Sequence, residues 1–547
     1  MSCVLLRFFD AYLYRLVREL NISRMGASVL FKPSVLIRKV FSFYPLVPLL
    51  LCFICGILAG MHISLPFGWQ WLLCLFGFLL VIAFGLLGRP LFGTLLVLTL
   101  SLLVGWLAVD VAMWRLQTPP LPLRCMCEAV VADEPVAVGR SSMRADLIIV
   151  SGPLSGKGVR AYFADATTTS DRLSVGEGIV LDAQFREPRS RQGMAFDYIS
   201  YLKGRGIVAT ASVRPAHWYV ASISLSSISL LTRARLSALC LRHRIGERYS
   251  HFGLSGQNLA VASAMVLGNK AVVSAAVRDA YSVAGTSHIL ALSGMHLGII
   301  YGLLSLFSRG RRRWFVHELL IVVAIWCYVF MVGMSSSVVR AAVMLTVYSI
   351  VGLANRRGAS LNVLAFTAWL MLVVNPFTLF DLGFQLSFSA MAFILAFHSS
   401  LSPIVPLPFQ QRHPLVRFFW QLVLMSMIAT IGTMPLVATY FGRLPVYFLV
   451  ANLIVVPAAT FIIYMFLALP LFSLVPLVGS WVAFLLDKFV AGVNVMLASI
   501  ASWPCASVSV PPLSLLQVVL LYVVAVAVLT AASLFQRRRN FYWLFMP

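Results

Sequence analysis

Runs of about 20 apolar residues, enough for a helix to cross a bilayer, recur along this chain and predict most of its elements. The first three lie near 44–62, 69–87 and 91–108. A second block supplies runs near 287–308, 314–333, 336–354, 360–374, 382–398, 416–440, 446–474, 478–500 and 514–535, about twelve in all. Between the blocks, residues 109–222 change period. Segments such as Arg144–Val150 and Gly178–Phe185 alternate apolar and polar positions, with Gly, Pro and Ser between them, which predicts a small β domain. Residues 223–286 interleave Arg233, Arg235, Arg242, Arg244 and Arg248 with Leu and Ile. They are too charged to span and read as amphipathic helices along the membrane interface. The run 446–474 is interrupted by Pro457 and Pro470. The run 478–500 carries Asp487, Lys488 and Asn494 and reads equally as a surface segment.

Composition agrees. Of 547 residues 60% are hydrophobic and 11% charged, and mean hydropathy is +0.92. No soluble domain covers that much apolar surface, so the fold class is a polytopic α-helical membrane protein with an inserted extracytoplasmic β domain. The formal net charge of +24 suggests a nucleic-acid partner, but the excess of Lys and Arg on cytoplasmic loops accounts for most of it. The basic N-terminus (1–43), Arg309–Arg313, Asn355–Arg357, Arg412 and Arg417, and Arg537–Arg539 all fall on one side if the chain starts in the cytoplasm and crosses twelve times. Both termini, including the tail 536–547, are therefore expected in the cytoplasm, with no cleavable signal peptide. Residues 109–220 hold 13 Lys and Arg against 11 Asp and Glu, as suits the outer side. The nine cysteines show no zinc spacing, and there is no phosphate-binding P-loop. No metal, cofactor or ATPase activity is expected.

Polar groups inside apolar runs carry the functional signal, because at membrane depth they are costly unless they face protein or water. The first run of the second block holds His288, Ser293, Gly294 and His296. Read as one helix, it separates the histidines by about 12 Å of rise and puts Ser293 and His296 on one face. Arg340 follows Ser336 and Ser337 by one turn. Asp381 suits a helix N-cap, with Gly383, Gln385, Ser387 and Ser389 behind it. Pro435, Asn452 and Pro457 suggest helices broken around a cavity. Three readings fit: a polar path through the bundle, an intramembrane serine hydrolase built on Ser293 and a histidine, and a permease for another polar or anionic substrate. No Gly-x-Ser-x-Gly elbow and no His-Glu-x-x-His pair accompany them. Packing through Ser-Gly steps and simple proline kinks account for the same residues without a ligand.

Taken in order, Gly285–His288, Leu292–His296, Arg340–Met344, Asp381-x-Gly-Phe-Gln-Leu-Ser387 and Pro435…Asn452…Pro457 resemble the ComEC family of bacterial competence proteins, as do Gly193–Tyr198 and Tyr201–Ile207 in the outer segment. The resemblance covers about residues 40–500, and Met295 stands where the family usually has Leu. It implies an inner-membrane channel that brings single-stranded DNA into the cytoplasm during natural transformation, with an OB-like fold at 109–222 and the channel proper at 287–535. Many members add a C-terminal metallo-β-lactamase-like domain. Here the chain ends soon after its last span without a His-x-His-x-Asp-His cluster, so the form expected lacks a nuclease. Its partners would be the bilayer, a DNA receptor, a separate nuclease and a cytoplasmic DNA-translocating ATPase or single-strand-binding protein. Single-strand binding needs cationic and aromatic side chains. In the OB-like segment these are Arg144, Arg160, Tyr162, Phe163, Arg186, Lys203 and Arg205, each of which is equally an ordinary surface position.

Overall fold

The computed structural model describes residues 44–63, 67–86, 90–138, 142–164, 173–190, 197–269, 272–306, 314–353 and 360–543. The basic stretch 1–43, Arg309–Arg313, Asn355–Arg357 and the Gly193–Phe196 part of the outer motif lie outside them. The chain divides into two compact units, 1–110 with 357–373, and 111–356 with 374–547.

In the first unit, helices α1 (Leu46–His62), α2 (Phe67–Leu86) and α3 (Pro90–Arg115) match the first three apolar runs, and α12 (Ser360–Val374) joins them. Small residues let α1 and α3 approach backbone to backbone. A side chain at Gly56 would strike the Leu102 carbonyl, and one at Gly105 the Phe53 carbonyl. The Ser101 hydroxyl donates to Leu49 O at 2.9 Å. Phe53, fully buried, meets the Trp369 ring of α12 at 6.0 Å.

The second unit begins with the β domain. Its strands are β1 (Leu123–Val131), β2 (Val136–Val138), β3 (Ser142–Ile149), β4 (Gly158–Ala164), β5 (Gly178–Arg186), β6 (Ile207–Val213) and β7 (Trp218–Val220). Their order is β1-β3-β4-β6-β5, and β5 pairs back onto β1, so five strands close a barrel in which only β4 and β6 run parallel. The period-two pattern is the cause. Met143, Ala145, Leu147 and Ile149 point inward from β3 to meet Phe163, Leu181, Phe185 and Ala211, while Arg144 and Asp146 face out. Helix α4 (Tyr198–Gly204) connects β5 to β6. The Asp197 carboxylate caps it by accepting the Ser200 N–H at 3.0 Å.

Helices α5 (Leu230–His251), α6 (Gly256–Val266), α7 (Ala275–Val283), α8 (Ser287–Leu290), α9 (Gly294–Leu306), α10 (Trp314–Met331) and α11 (Ser336–Leu353) follow. Then come α13 (Leu382–Leu401), α14 (Leu407–Arg412), α15 (Pro414–Phe441), α16 (Phe448–Phe472), α17 (Pro476–Ala501) and α18 (Leu515–Trp543). Six described helices are long and apolar enough to cross a membrane, and six shorter apolar ones accompany them. The protein is thus mostly helical and of a kind with polytopic membrane proteins.

Three sequence expectations need correction. Residues 223–286 are not amphipathic throughout. Every residue from Ala260 to Val266 of α6 is buried against α16 and α17, because small and apolar side chains on all faces admit close packing all round. The span at 287–308 is not one helix; it breaks at Ala291–Ser293. The helices α15 and α16, conversely, run unbroken through Pro435, Pro457 and Pro470. Each ring removes one N–H, freeing a carbonyl four residues earlier, while the helix continues on either side.

Segment 478–500 also resolves. It lies within α17, whose polar residues face partners: Asn258 Nδ2 donates to Asp487 Oδ1 at 2.9 Å, Asn494 Nδ2 to Asn258 Oδ1 at 3.2 Å, and Tyr281 OH to Asn494 Oδ1 at 2.9 Å.

Candidate functional site

Three turns bring the polar residues of the second unit together. The break at Ala291–Ser293 lets α9 start inside the protein at Gly294. The α10–α11 turn contains two left-handed residues, Gly333 (φ 91°) and Met334 (φ 55°), before Ser336. The turn before α13 is a short 3-10 segment, Pro376–Phe380, ending at Asp381. The Asp381 carboxylate accepts the Gly383 N–H at 2.9 Å, the cap its position predicted.

At the first turn, Nδ1 of His296 receives the Ser293 N–H at 3.1 Å and stands 2.8 Å from the Ser293 hydroxyl. His296 is fully buried, and its Nε2 has no partner. His288 differs: its side chain is exposed, and a backbone group of Gly285 hydrogen-bonds its ring.

Gly294 explains how α9 meets α11. A Cβ there would lie 3.2 Å from Ala341 Cβ and 3.6 Å from Arg340 Nη2. Arg340 is 3% exposed. It donates from Nη2 to Ser337 Oγ at 3.2 Å, lies over the Phe388 ring of α13 at 5.4 Å, and leaves Nη1 without a partner. It therefore does not snorkel to an interface. Gly383 closes the third side, because a Cβ there would sit 3.2 Å from Ser336 Oγ and 3.3 Å from Asp381 Oδ1. The first turns of α9, α11 and α13 thus converge.

Gln385 is committed to structure: Nε2 donates to Leu379 O and Oε1 accepts from Tyr440 OH, both at 2.9 Å. Ser389 binds Gly432 O and faces Tyr522 OH at 3.1 Å. Ser387 is half-buried. Asn452, on α16, is 6% exposed with an unpartnered Oδ1. Roles for Phe388, Tyr440 and Tyr522 escaped the sequence reading, although aromatic rings within these apolar runs were the available signal. So did Glu318, a buried acid that receives Tyr301 OH at 3.0 Å and Ser349 Oγ at 3.3 Å.

On the barrel, one candidate is withdrawn. Arg160 is 2% exposed. Its Nε and Nη2 bind the two Asp146 oxygens at 2.7 and 2.8 Å, and its Nη1 binds Tyr198 OH at 3.0 Å, so no donor fork is left for a ligand. Tyr162 faces Tyr198 OH at 3.3 Å, and burial, with that hydrogen bond, pushes its phenol up to about 12. Arg144 is half-buried opposite Tyr162. Arg186 is exposed and holds Gln184. Lys203 lies 6.0 Å over the Phe377 ring. Arg205 lies 5.3 Å over the Tyr201 ring.

A charge cluster joins the barrel to α5. Arg242 Nη2 meets Glu134 Oε1 at 3.4 Å, and its Nη1 donates to Val332 O at 3.4 Å. Burial raises the Glu134 carboxyl above its usual range, opposed by Arg242 and His243. Arg235 lies two turns earlier on α5. Enclosure by protein lowers its guanidinium from its usual value, as do the nearby Arg205 and Arg242, against Asp133.

The second unit can thus hold neutral and cationic donors inside an apolar bundle. No group of three metal-ligating side chains occurs among the described residues.

Residues 265–535 match the family described as Competence protein. The chain is 30% identical over 270 residues to ComE operon protein 3 of Bacillus subtilis (strain 168), covering 49% of this chain and 32% of that protein. It is 32% identical over 164 residues to an uncharacterized protein of Aquifex aeolicus (strain VF5), covering 28% of this chain and 39% of that one. It is 25% identical over 213 residues to the uncharacterized protein YcaI of Escherichia coli (strain K12), covering 37% and 28%. The chain spans about a third of the length of these relatives. No solved structure matches it.

Proposed function

Since the chain belongs to the competence protein family through residues 265–535, we propose that it is an inner-membrane channel that moves single-stranded DNA into the cytoplasm during natural transformation. One observation carries the reading. His296 Nε2, Arg340 Nη1 and Asn452 Oδ1 are buried polar atoms without partners, on three different helices of an apolar bundle. Such atoms cost about 1–3 kcal/mol each unless water or a ligand satisfies them. A hydrated path with a fixed cation supplies that, and a phosphodiester strand is a ligand that such a path suits.

In this reading the six long and six shorter apolar helices are twelve crossings, both termini are cytoplasmic, and residues 109–222 form the outer domain. The closed five-stranded order β1-β3-β4-β6-β5 supports reading that domain as OB-like. The chain does no covalent chemistry itself. A DNA receptor, a nuclease for the discarded strand and a cytoplasmic ATPase or single-strand-binding protein are its expected partners.

The hydrolase reading has the 2.8 Å contact between Ser293 and His296 in its favour. Against it, the second ring nitrogen of His296 has no acid to orient it. Transformation of a deletion strain complemented with the wild type, His296→Ala or Arg340→Ala tests the proposal. Loss of internalised DNA with surface-bound DNA intact is expected. Normal transformation by both variants at wild-type protein level would overturn it.

A further inference from the structure

We propose that Arg205, Arg235 and Arg242 form a vestibule for the phosphates of a single nucleic-acid strand, with Arg235 as the residue that touches the ligand. The inference rests on the transport reading above and names a site for its substrate.

The vestibule is built where barrel and bundle meet within the second unit. Asp133, after β1, stands 3.9 Å from Arg205 Nη1 and 4.0 Å from Arg242 Nη2. Arg242 also bonds Val332 O, and a Cβ on Gly333 would lie 3.1 Å from Leu239 and 3.6 Å from Arg242 Nη1. Helix α5 is thereby seated on the turn that leads into Ser336, Ser337 and Arg340. The other wall is α4. Asn375 Nδ2 donates to Gly204 O at 2.7 Å, and a Cβ on Gly204 would lie 3.4 Å from Phe377. This seats Arg205 beside the turn that leads into Asp381 and Gly383. Arg242 and Arg205 therefore stand beside the turns that open α11 and α13, the two helices that hold the buried Arg340 and the Phe388 ring beneath it.

Charge accounting selects Arg235. Three guanidiniums, Arg160, Arg205 and Arg242, meet three carboxylates, Asp133, Glu134 and Asp146, and Arg235 adds a fourth cation on α5. Arg160, Arg205 and Arg242 each have a carboxylate within 4.0 Å. Among the described residues none lies that close to Arg235. Arg235 shares a face of α5 with Arg242 at i, i+7. Its side chain is exposed to solvent, so a strand could meet it. A planar guanidinium binds phosphate oxygens in pairs.

The test uses the purified full chain in nanodiscs and a fluorescent oligothymidylate, with affinity measured against salt. Arg235→Gln should weaken binding about tenfold. It should also flatten the log–log salt slope by about 0.7, the share of one phosphate on a single strand. Arg235→Lys should keep the slope. Arg124→Gln, on an exposed barrel arginine paired with Asp182 at 2.8 Å, should leave slope and affinity at wild-type values. An unchanged slope in Arg235→Gln overturns the vestibule while leaving the transport reading intact. An equal change in Arg124→Gln also overturns it, since the binding would then be diffuse. Absence of salt-dependent binding by the wild type would sink the transport reading and the vestibule together.

Discussion

The Ser293 amide and hydroxyl both address one atom, His296 Nδ1, at 3.1 and 2.8 Å. An N–H only donates, so Nδ1 must accept, and the neutral ring carries its proton on Nε2. That Nε2–H is the donor left without a partner. The pair therefore acts as a clamp that aims a neutral donor inward.

Ser293→Ala removes one of two contacts to Nδ1 and leaves the other, at a cost of about 0.5–1.5 kcal/mol. DNA internalisation should fall by less than about tenfold. His296→Ala, which removes the aimed donor, should reduce it further. A serine-directed fluorophosphonate probe should not label the wild type. Labelling that disappears in Ser293→Ala would revive the hydrolase.

Arg340 has one hydrogen bond and one ring contact for a whole guanidinium. Arg340→Lys keeps the charge and loses the fork, so partial uptake should remain. Arg340→Gln should be worse. Equal uptake by the two variants at equal protein level would make Arg340 a packing residue.

Two helix glycines separate packing from flexibility. A Cβ on Gly432 would lie 2.7–2.9 Å from the Phe393 side chain, whereas one on Gly298 meets nothing within 4 Å. Gly432→Ala should destabilise the protein by about 1–3 kcal/mol. Gly298→Ala should be neutral or stabilising by up to about 1 kcal/mol. Unfolding in mild detergent compares them, and a reversed order would refute the α13–α15 contact.

The raised Glu134 carboxyl gives a pH dependence of known sign. Burial is the main cause, so the folded state binds this proton more tightly than the unfolded one. The stability it contributes is full below the unfolded value, roughly 4.3, and is lost as pH rises through the folded value. Glu134→Gln mimics the protonated form and should flatten that decline in the thermal midpoint of the full chain. An unchanged pH profile would show that Arg242 cancels the burial.

Periodicity alone determined where the helices and strands lie. Eleven of the apolar runs became helices, most of them close to their expected bounds, because an apolar helix must satisfy its backbone internally and leaves its length in the sequence. The β segment showed its alternation for the same local reason. The polar residues worth noticing were also legible, since composition makes His288, His296, Arg340 and Asn452 conspicuous among aliphatic neighbours. Their roles were not. Arg160 and Arg205 read alike as barrel cations, yet Asp146, fourteen residues from Arg160 but directly across the β3–β4 ladder, consumes one and leaves the other half exposed. The break before Gly294 was hidden as well, because nothing local forbids a helix there. It follows from the contacts of Gly294 with Ala341 and Arg340 and from the hold of Ser293 on His296. Pro435 and Pro457 failed the other way: a proline weakens a helix locally, and packing against neighbours outweighed it. Local spacing fixes the element, but the partner of a buried polar atom comes from distant chain, and only the tertiary structure chooses it.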